Sequence, residues 1–314
     1  MNNSKTSESK QPLVTVIVPN YNHARYLEQR LDSVFGQTYQ NFEVIILDDC
    51  STDNSLEVIS RYKNNPHFSQ IVVNDTNSGS VFSQWDKGIN IAKGELIWIA
   101  ESDDYCELNM LEELVGAYLA KPNVVVAFSS YIMFDDEGGK YIPPIHGTAY
   151  YYGKDFVSKW LAMDCVIRNA SGAVFKKDAF LQIPNSYANL RQCGDYLFWV
   201  MIAEHGYVAY VNKNLTYFRI TNGVTSVNNK SSIVAKEDKI VFDYIDNKYH
   251  FSKLRKYLIK AKRWNSYQYY ININDPIFQE INEVWGFKKR YSPYFVKLYM
   301  YVFNKLRLYF NILI

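Results

Sequence analysis

LVTVIVP (Leu13–Pro19), FEVIILDD (Phe42–Asp49) and GELIWIA (Gly94–Ala100) are three mostly apolar runs, rich in β-branched residues. Runs of this length without polar alternation are typical of strands buried on both faces of a parallel sheet. Between the first two, apolar residues recur at helical spacing in Ala24–Phe35. The alternation of such strands and helices through the first 130 residues predicts an α/β fold with a mostly parallel sheet and right-handed crossovers.

Polar residues cluster where these predicted strands end. Asn20-Tyr21-Asn22 follows the first run, Asp48-Asp49 ends the second, and Glu101 to Asp104 follows GELIWIA. In open α/β sheets, ligands bind outside the carboxyl ends of the strands. We therefore expect these residues to lie at one edge of the sheet and to form the functional site.

The acidic cluster Glu101-Ser102-Asp103-Asp104 carries the most information. Several carboxylates at one strand end repel each other unless a cation or hydrogen-bond donors compensate them. A hard divalent ion suits oxygen ligands and can complete its shell with substrate phosphates. The acids alone equally well indicate a solvated loop that caps the next helix.

Two further acidic positions permit both a structural and a functional interpretation. Asp49 can accept a hydrogen bond from a nucleotide base or ribose, although an isolated Asp-Asp pair favours a structural role. Asp53 is expected to stabilise the start of the next helix. Asp195, in Gly194-Asp195-Tyr196, is either a helix N-cap or a general base that projects into a cleft.

The composition excludes several classes of protein. Of the 314 residues, 48 % are hydrophobic and 21 % charged, so wholesale disorder is excluded, and a net charge of +2 gives no support to a nucleic-acid partner. The 4 cysteines form no CxxC pair, which argues against a zinc site or a disulfide framework. The polar N-terminal segment has no apolar signal-peptide core, and we expect a cytoplasmic protein.

The pattern divides the chain into three predicted regions: a disordered tail at 1–11, an α/β domain at 12–228 and a helical region at 229–314. Residues 139–153 are predicted to be a loop, and residues 231–264, 277–285 and 294–310 to be helices. Residues 250–314 carry 12 Lys and Arg against 3 Asp and Glu, which suggests a partner different from that of the rest.

Pro293–Ile314 is rich in Tyr, Phe and Leu but is interrupted by Lys297, Lys305 and Arg307. A transmembrane span needs about 20 mostly apolar residues, so the segment fits an anionic membrane surface better than a span. A helix packed on the domain or on a second copy explains it equally well.

Three motifs, in order along the chain, now resemble glycosyltransferase family 2. They are TVIVPNYNHARYLEQRLDSVFGQTYQNFEVIILDDCSTDNS, KGINIAKGELIWIAESDD and GDYLFW, and the resemblance covers roughly residues 13–226. Members of this family are inverting enzymes of the GT-A fold that use nucleotide-sugar donors. The resemblance implies that fold here, with a basic, aromatic-rich helical extension at the C-terminus.

The resemblance also implies roles for individual residues. Pro19, Tyr21 and Asp49 would line the pocket for the nucleotide base. Glu101-Ser102-Asp103 stands in the place of the family's DxD motif.

In that motif, Asp103 would ligate a divalent cation, Mn²⁺ or Mg²⁺. Glu101, one methylene longer than the usual Asp, would lie towards the ribose, with Ser102 also binding the donor. Arg219 would lie near the diphosphate, and Asp195 stands at the position of the catalytic base.

The implied reaction moves a sugar from a nucleotide-sugar, a UDP-sugar by family frequency, to a hydroxyl of a glycan or lipid-linked acceptor. The implied role is surface polysaccharide biosynthesis at the inner face of the membrane. One departure concerns Gln84-Trp85-Asp86-Lys87-Gly88, where many members have Arg-Asn before the Gly; Lys87 is expected to face solvent.

Two alternatives remain open. A non-catalytic nucleotide- or sugar-binding relative would keep the same fold. A nicotinamide-dependent oxidoreductase would need a Gly-rich loop after the first strand, but the chain has PNYNHARY there.

Overall fold

The computed structural model describes residues 11–135, 140–141, 148–220 and 232–287. In this part of the chain, ten strands form one mixed sheet. They are β1 (Val14–Asn20), β2 (Phe42–Asp48), β3 (Phe68–Val73), β4 (Leu96–Ile99), β5 (Tyr105–Cys106), β6 (Val124–Phe134), β7 (Lys140–Tyr141), β8 (Ala149–Tyr152), β9 (Ala173–Lys176) and β10 (Tyr207–Arg219).

The sheet is parallel in one half and mixed in the other. Its order is β3-β2-β1-β4-β9-β6-β10-β5, and β3, β2, β1 and β4 are mutually parallel. β9 runs antiparallel to both β4 and β6, whereas β6 and β10 pair parallel, so the mostly parallel sheet predicted from the sequence is confirmed, with β9 as an antiparallel insertion. The register pairs Asn20 with Asp48, which brings the ends of β1 and β2 level.

Residues 139–153, predicted to be a loop, contain two short strands among their described residues, 140–141 and 148–153. β7 and β8 fall in this stretch, paired antiparallel with β6 and β10. Strands of 2 and 4 residues are too short for periodicity to indicate them.

Ten α-helices are described. They are α1 (Ala24–Phe35), α2 (Ser55–Ser60), α3 (Val81–Ile91), α4 (Met110–Leu119), α5 (Gly153–Phe156), α6 (Lys177–Phe180), α7 (Gly194–Ala203), α8 (Ser232–Tyr249), α9 (Lys253–Tyr270) and α10 (Pro276–Trp285). The Asp53 carboxylate accepts a hydrogen bond from Ser55 N at 3.0 Å, so the expected stabilisation of the start of α2 is confirmed.

Each face of the sheet is covered by helices. α1 and α4 cover one face, where Leu31 and Leu114 pack against alternate residues of β1 such as Val16. α3 and α7 cover the other face, where Trp85 and Phe198 pack near Ile17. Burial on both faces explains why β1, β2 and β4 are continuous apolar runs.

The helices of residues 232–287 pack on the face that holds α7. Phe242, Phe278 and Trp285 belong to the same hydrophobic cluster as Phe198 of α7. The single helix predicted over 231–264 is divided at His250, whose φ is 51°. A positive φ departs from the right-handed helical conformation, so α8 ends directly before His250.

None of the helices in the described residues is long and apolar enough to cross a membrane. The predicted helix at 294–310, with the rest of the aromatic segment Pro293–Ile314, lies outside the described residues. The predicted tail at 1–11 is also outside them except for Gln11.

Candidate active site

The loops that follow β1 and β2 are joined by side-chain hydrogen bonds. Asn20 Nδ2 donates to Asp48 Oδ2 at 2.8 Å. Asn22 Oδ1 accepts from Thr52 N at 2.7 Å, and Asn22 has a φ of 54°. This left-handed turn, which Asn tolerates better than most residues, directs the chain from β1 towards the loop after β2.

Asp49 lies at the end of β2, but its carboxylate already has several partners. It is buried, and its two oxygens accept hydrogen bonds at 2.6 to 3.1 Å. The donors are Asn74 Nδ2, Ser78 N and Oγ, and Gln84 Nε2. Asp49 therefore shapes the loop after β3, and a nucleotide base would have to share this carboxylate with those donors.

The other two residues predicted for the base pocket differ in exposure. Pro19 is buried within β1, whereas Tyr21, just beyond the strand, is 46 % exposed. Tyr21 can therefore offer its ring to a ligand, and Pro19 contributes to the floor of the strand end.

Glu101 and Trp85 are two departures from the family pattern that meet in space. Trp85 Nε1 donates to Glu101 Oε1 at 2.9 Å. Burial and the negative charge of Asp103 raise the pKa of Glu101 to about 8. The longer Glu side chain thus finds a partner in the indole that replaces the usual polar residue of α3.

Ser102 is buried, and its Oγ lies 2.8 Å from His23 Nδ1. Burial lowers the pKa of His23, so the imidazole is neutral at pH 7. Ser102, predicted to bind the donor, is thus engaged with the loop after β1. His23 was not singled out from the sequence, since nothing in its local pattern points to a contact 79 residues away.

Asp104 ties together four segments around the acidic cluster. Its Oδ2 accepts from Asn169 Nδ2 at 2.9 Å and Ser171 Oγ at 2.7 Å, and its Oδ1 accepts from Arg219 N at 3.0 Å. Arg30 Nη2 lies 3.9 Å from Oδ2, in a side chain with no exposed surface. Asp104 therefore links several segments through hydrogen bonds. It is not the N-cap of α4, because Asn109 occupies that position.

Arg219 lies beside Asp103, although 116 residues separate them. Arg219 Nε donates to Asp103 O at 2.9 Å, and its guanidinium stacks 4.4 Å from the centre of the Tyr26 ring. Burial raises the pKa of Asp103, while the positive charges of Arg30 and Arg219 oppose that shift. The acidic cluster thus lies beside the guanidinium of Arg219, which these contacts hold in place.

The described residues contain no group of three or more His, Cys, Asp or Glu that could hold a metal by themselves. Asp103 is only partly buried. Glu101 lies near enough to Asp103 for the negative charge of Asp103 to raise the pKa of Glu101. Mg²⁺ and similar ions are commonly held by one or two carboxylates together with substrate phosphates and water. This donor set fits such an ion only when a phosphate-bearing ligand is also bound.

Asp195 stands in the first turn of α7. Cys193 occupies the N-cap position, so the N-cap interpretation of Asp195 is wrong. Asp195 Oδ1 accepts from Tyr196 N at 2.7 Å. Burial raises the pKa of Asp195 to about 6, with a further contribution from the charge of Glu237, which is the range suited to a general base near neutral pH.

α3 connects the acidic cluster with the start of α7. Trp85, whose indole nitrogen bonds Glu101, packs edge-on against Phe198 of α7 with ring centres 5.5 Å apart. A Cβ on Gly194 would lie 2.4 Å from Phe82 Cε2. The close approach of α3 therefore requires glycine directly before Asp195.

Lys87 of α3 does not extend freely into solvent as expected. Its Nζ donates to Asn74 Oδ1, and Asn74 in turn donates to Asp49. The basic residue thus supports the loop after β3.

The chain is similar to known glycosyltransferases. The family model Glycosyl transferase family 2 matches residues 15–183. The glycosyltransferase GlyG of Streptococcus pneumoniae is 29 % identical over 67 % of this chain and 72 % of its own length. TuaG of Bacillus subtilis, named for teichuronic acid biosynthesis, is 27 % identical over 77 % of this chain and 92 % of its own length.

Two solved structures share the fold at lower identity. TarS 1–349 of S. aureus, in complex with UDP-GlcNAc, aligns with a TM-score of 0.65 and 19 % identity over 87 % of this chain and 78 % of that one. The mannosyltransferase PcManGT of Pyrobaculum calidifontis, in complex with GDP-Man and Mn²⁺, aligns with a TM-score of 0.54 and 19 % identity over 78 % and 66 %.

Proposed function

The chain belongs to glycosyl transferase family 2, and from that premise we propose that it transfers a sugar from a UDP-sugar to a hydroxyl group of a glycan or lipid-linked acceptor, with inversion. The observation that carries the proposal is the contact of Arg219 with Asp103 at the carboxyl ends of the central strands. The guanidinium, held by the backbone carbonyl of Asp103, lies beside the acids, and this supports the proposal that the donor diphosphate binds there. The proposed setting is the synthesis of a surface polysaccharide.

In the proposed mechanism, Asp195 accepts the proton of the acceptor hydroxyl as its oxygen attacks the anomeric carbon. The bond between that carbon and the diphosphate oxygen breaks in the same displacement, so an α-linked donor gives a β-linked product. Arg219 offsets the negative charge that develops on the departing diphosphate, and this contact is stronger in the transition state than before it.

Asp103, with Glu101 beside it, would hold a divalent cation, Mn²⁺ or Mg²⁺. When bound, the cation supplies Lewis-acid stabilisation to the diphosphate. The proposal draws support from the Mn²⁺ named in the PcManGT complex and from the partly exposed carboxylate of Asp103.

The donor class and pathway are inferred from relatives. TarS is described with UDP-GlcNAc, and TuaG is named for teichuronic acid biosynthesis. We propose UDP-GlcNAc as the first donor to test. We propose that the uracil base binds beside Asp49 and Tyr21, which follow the neighbouring strands β2 and β1.

A second candidate is a binding protein of the same fold that transfers nothing. The hydrogen bond of Trp85 to Glu101 and the pKa of Glu101, which burial raises to about 8, favour it, because a neutral carboxyl group helps a bound cation little. Such a protein would bind UDP and release no UDP from a UDP-sugar in the presence of acceptors.

The test is a thermal-shift panel with UDP, GDP and dTDP, each with and without Mn²⁺. A ligand at about 100 times its Kd stabilises the folded state by about 2.7 kcal/mol, which shifts the Tm measurably. We expect UDP to stabilise the wild type in a metal-dependent manner and Asp103→Asn to lose the effect. Asp155→Asn, an exposed carboxylate paired with Lys159, is the control and should behave as wild type.

Stabilisation by UDP that persists in Asp103→Asn would remove Asp103 as the metal ligand. Stabilisation by none of the three nucleotides would contradict the nucleotide-sugar donor.

A further inference from the structure

Helix α8 contacts the loop that leads into α7. Glu237 Oε1 accepts a hydrogen bond from Arg191 N at 2.8 Å, and Oε2 accepts from Gln192 N at 2.6 Å and Cys193 N at 2.9 Å. Hydrogen bonds from amides to an ionised carboxylate are about twice as strong as neutral ones. Three successive amides are thus fixed directly before the turn that carries Asp195.

The next residue of α8 supports the chain on the other side of Asp195. Asp238 is buried and pairs with Arg263 of α9, with Nη2 lying 3.0 Å from Asp238 Oδ1. The same Nη2 donates to the Tyr196 hydroxyl at 3.0 Å. Tyr196 directly follows Asp195. Glu237 therefore holds the chain directly before Asp195, and Asp238, through Arg263, holds the side chain of the residue directly after it.

Apolar packing alone would fasten α8 to the domain. Ala235, Val241 and Phe242 of α8 already join the cluster that contains α7. Burying charged groups costs free energy, and replacing buried ion pairs with apolar residues is often neutral or stabilising. The buried pair of Asp238 and Arg263 therefore calls for a role beyond attachment. The three hydrogen bonds that the half-buried Glu237 accepts from successive amides fit precise placement of the turn.

Within the part of the chain that the structure describes, three titratable groups interact electrostatically with Asp195. Glu237 faces it from α8, Cys193 precedes it in the chain, and Cys165 approaches from the segment that follows α5. Burial raises the pKa of both thiols, so they are neutral. Glu237 is thus the charged member of this set, and its removal should ease the ionisation of Asp195.

We propose that Glu237 is a positioning residue that directs Asp195 towards the acceptor hydroxyl by fixing the loop 191–193, so that α8 belongs to the transfer site. The proposal rests on the function proposed above. Glu237 lies beyond residues 15–183, the part of the chain that the family match covers.

The test compares Glu237→Gln and Glu237→Ala with wild type, using UDP-GlcNAc as donor. We expect kcat to fall by about 10- to 100-fold, because small misplacements of a reacting group have effects of this size. The donor KM should stay within about two-fold of wild type, since Glu237 does not face the donor. The acid limb of the kcat pH profile should move to lower pH as the negative charge beside Asp195 is lost.

Asp243→Asn is the matched control. Asp243 lies on the same helix and pairs with Lys239, away from the loop 191–193, so its variant should keep the wild-type kcat, KM and pH profile. Amide hydrogen exchange at residues 191–193 should speed up in both Glu237 variants and stay unchanged in Asp243→Asn.

A wild-type kcat and pH profile in Glu237→Gln would overturn the proposal, and so would a lower kcat with unchanged exchange at 191–193. If Glu237→Ala fails to fold, the isosteric Gln variant alone decides. If wild-type protein binds UDP but transfers no sugar, the proposed function fails, and Asp195 then has no acceptor to be directed to. Amide exchange at residues 191–193 distinguishes this failure from a failure of the role of Glu237, because it reports on the loop whether or not transfer occurs.

Discussion

Asp195 illustrates how one buried carboxyl group can be prepared for proton transfer. Its ordinary pKa of 3.8 would make it a weak base at neutral pH, and burial raises this pKa to about 6. The carboxyl group is then largely ionised at pH 7 yet basic enough to take a proton in the transition state.

We expect the rate of transfer to depend on the ionisation of Asp195. Since the base must be deprotonated, kcat should rise as the pH increases through about 6 and level off above it. The measurement is kcat from about pH 5 to pH 8 at saturating donor. A profile that is flat across this range would contradict the assigned base.

The individual contacts of the site could be predicted only in part. Asp103, Asp195 and Arg219 were named from their positions in motifs. The Trp85–Glu101 hydrogen bond and the His23–Ser102 contact were not, because each joins residues whose proximity depends on how separate elements pack. Each of these residues alone resembles an ordinary core or loop residue.

At the scale of elements, the loop after β3 depends on Asp49, the residue directly after β2. Asn74, Ser78 and Gln84 all donate to its carboxylate, and this fixes the path of the chain into α3. The same loop borders the place where we propose that the nucleotide base binds. Asp49 therefore acts through the loop as well as through any direct contact.

Asp49→Asn should disturb this loop, because an amide cannot accept as many hydrogen bonds as a carboxylate. We expect the affinity for UDP to fall by about 10-fold, together with a loss of about 1 to 3 kcal/mol of stability. Titration calorimetry and thermal unfolding measure the two effects. Asp75→Asn, in the same loop but exposed, is the control, and equal behaviour of the two variants would show that Asp49 has no special role.

The boundaries of the first helices and strands were predictable, and the order of the sheet beyond β4 was not. α1 has the predicted limits, because its apolar spacing is regular. β9 is inserted between β4 and β6 by pairing across a long stretch of chain, and local periodicity carries no information about such pairing.

For the whole molecule, the excess of basic residues near the C-terminus has two sources. Part of it is used inside the fold, where Lys262 and Arg263 of α9 pair with Asp164 and Asp238. These pairs could not be read from the charge count, because their acidic partners lie in other segments. The rest includes Lys288, Lys289 and Arg290 and, in the aromatic segment Pro293–Ile314, Lys297, Lys305 and Arg307, all outside the described residues.

Residues 293–314 are proposed to attach the protein to anionic membranes. Deleting them should abolish sedimentation with vesicles that contain anionic lipid, since each basic residue near such a surface contributes about 1 kcal/mol. Replacing Lys297, Lys305 and Arg307 with Gln keeps the apolar residues and should weaken binding in proportion to the charge removed. Failure of the full chain to bind the vesicles would instead favour packing against the domain or a second copy.

The central claim is that Asp195 activates an acceptor at a donor site built from the strand ends. The most direct test measures UDP release from UDP-GlcNAc with an acceptor extract of bacterial envelope glycans and lipids, for wild type and Asp195→Asn. We predict that Asp195→Asn binds UDP as wild type does and loses transfer by about 10²-fold or more. Transfer at the wild-type rate in that variant would contradict the claim.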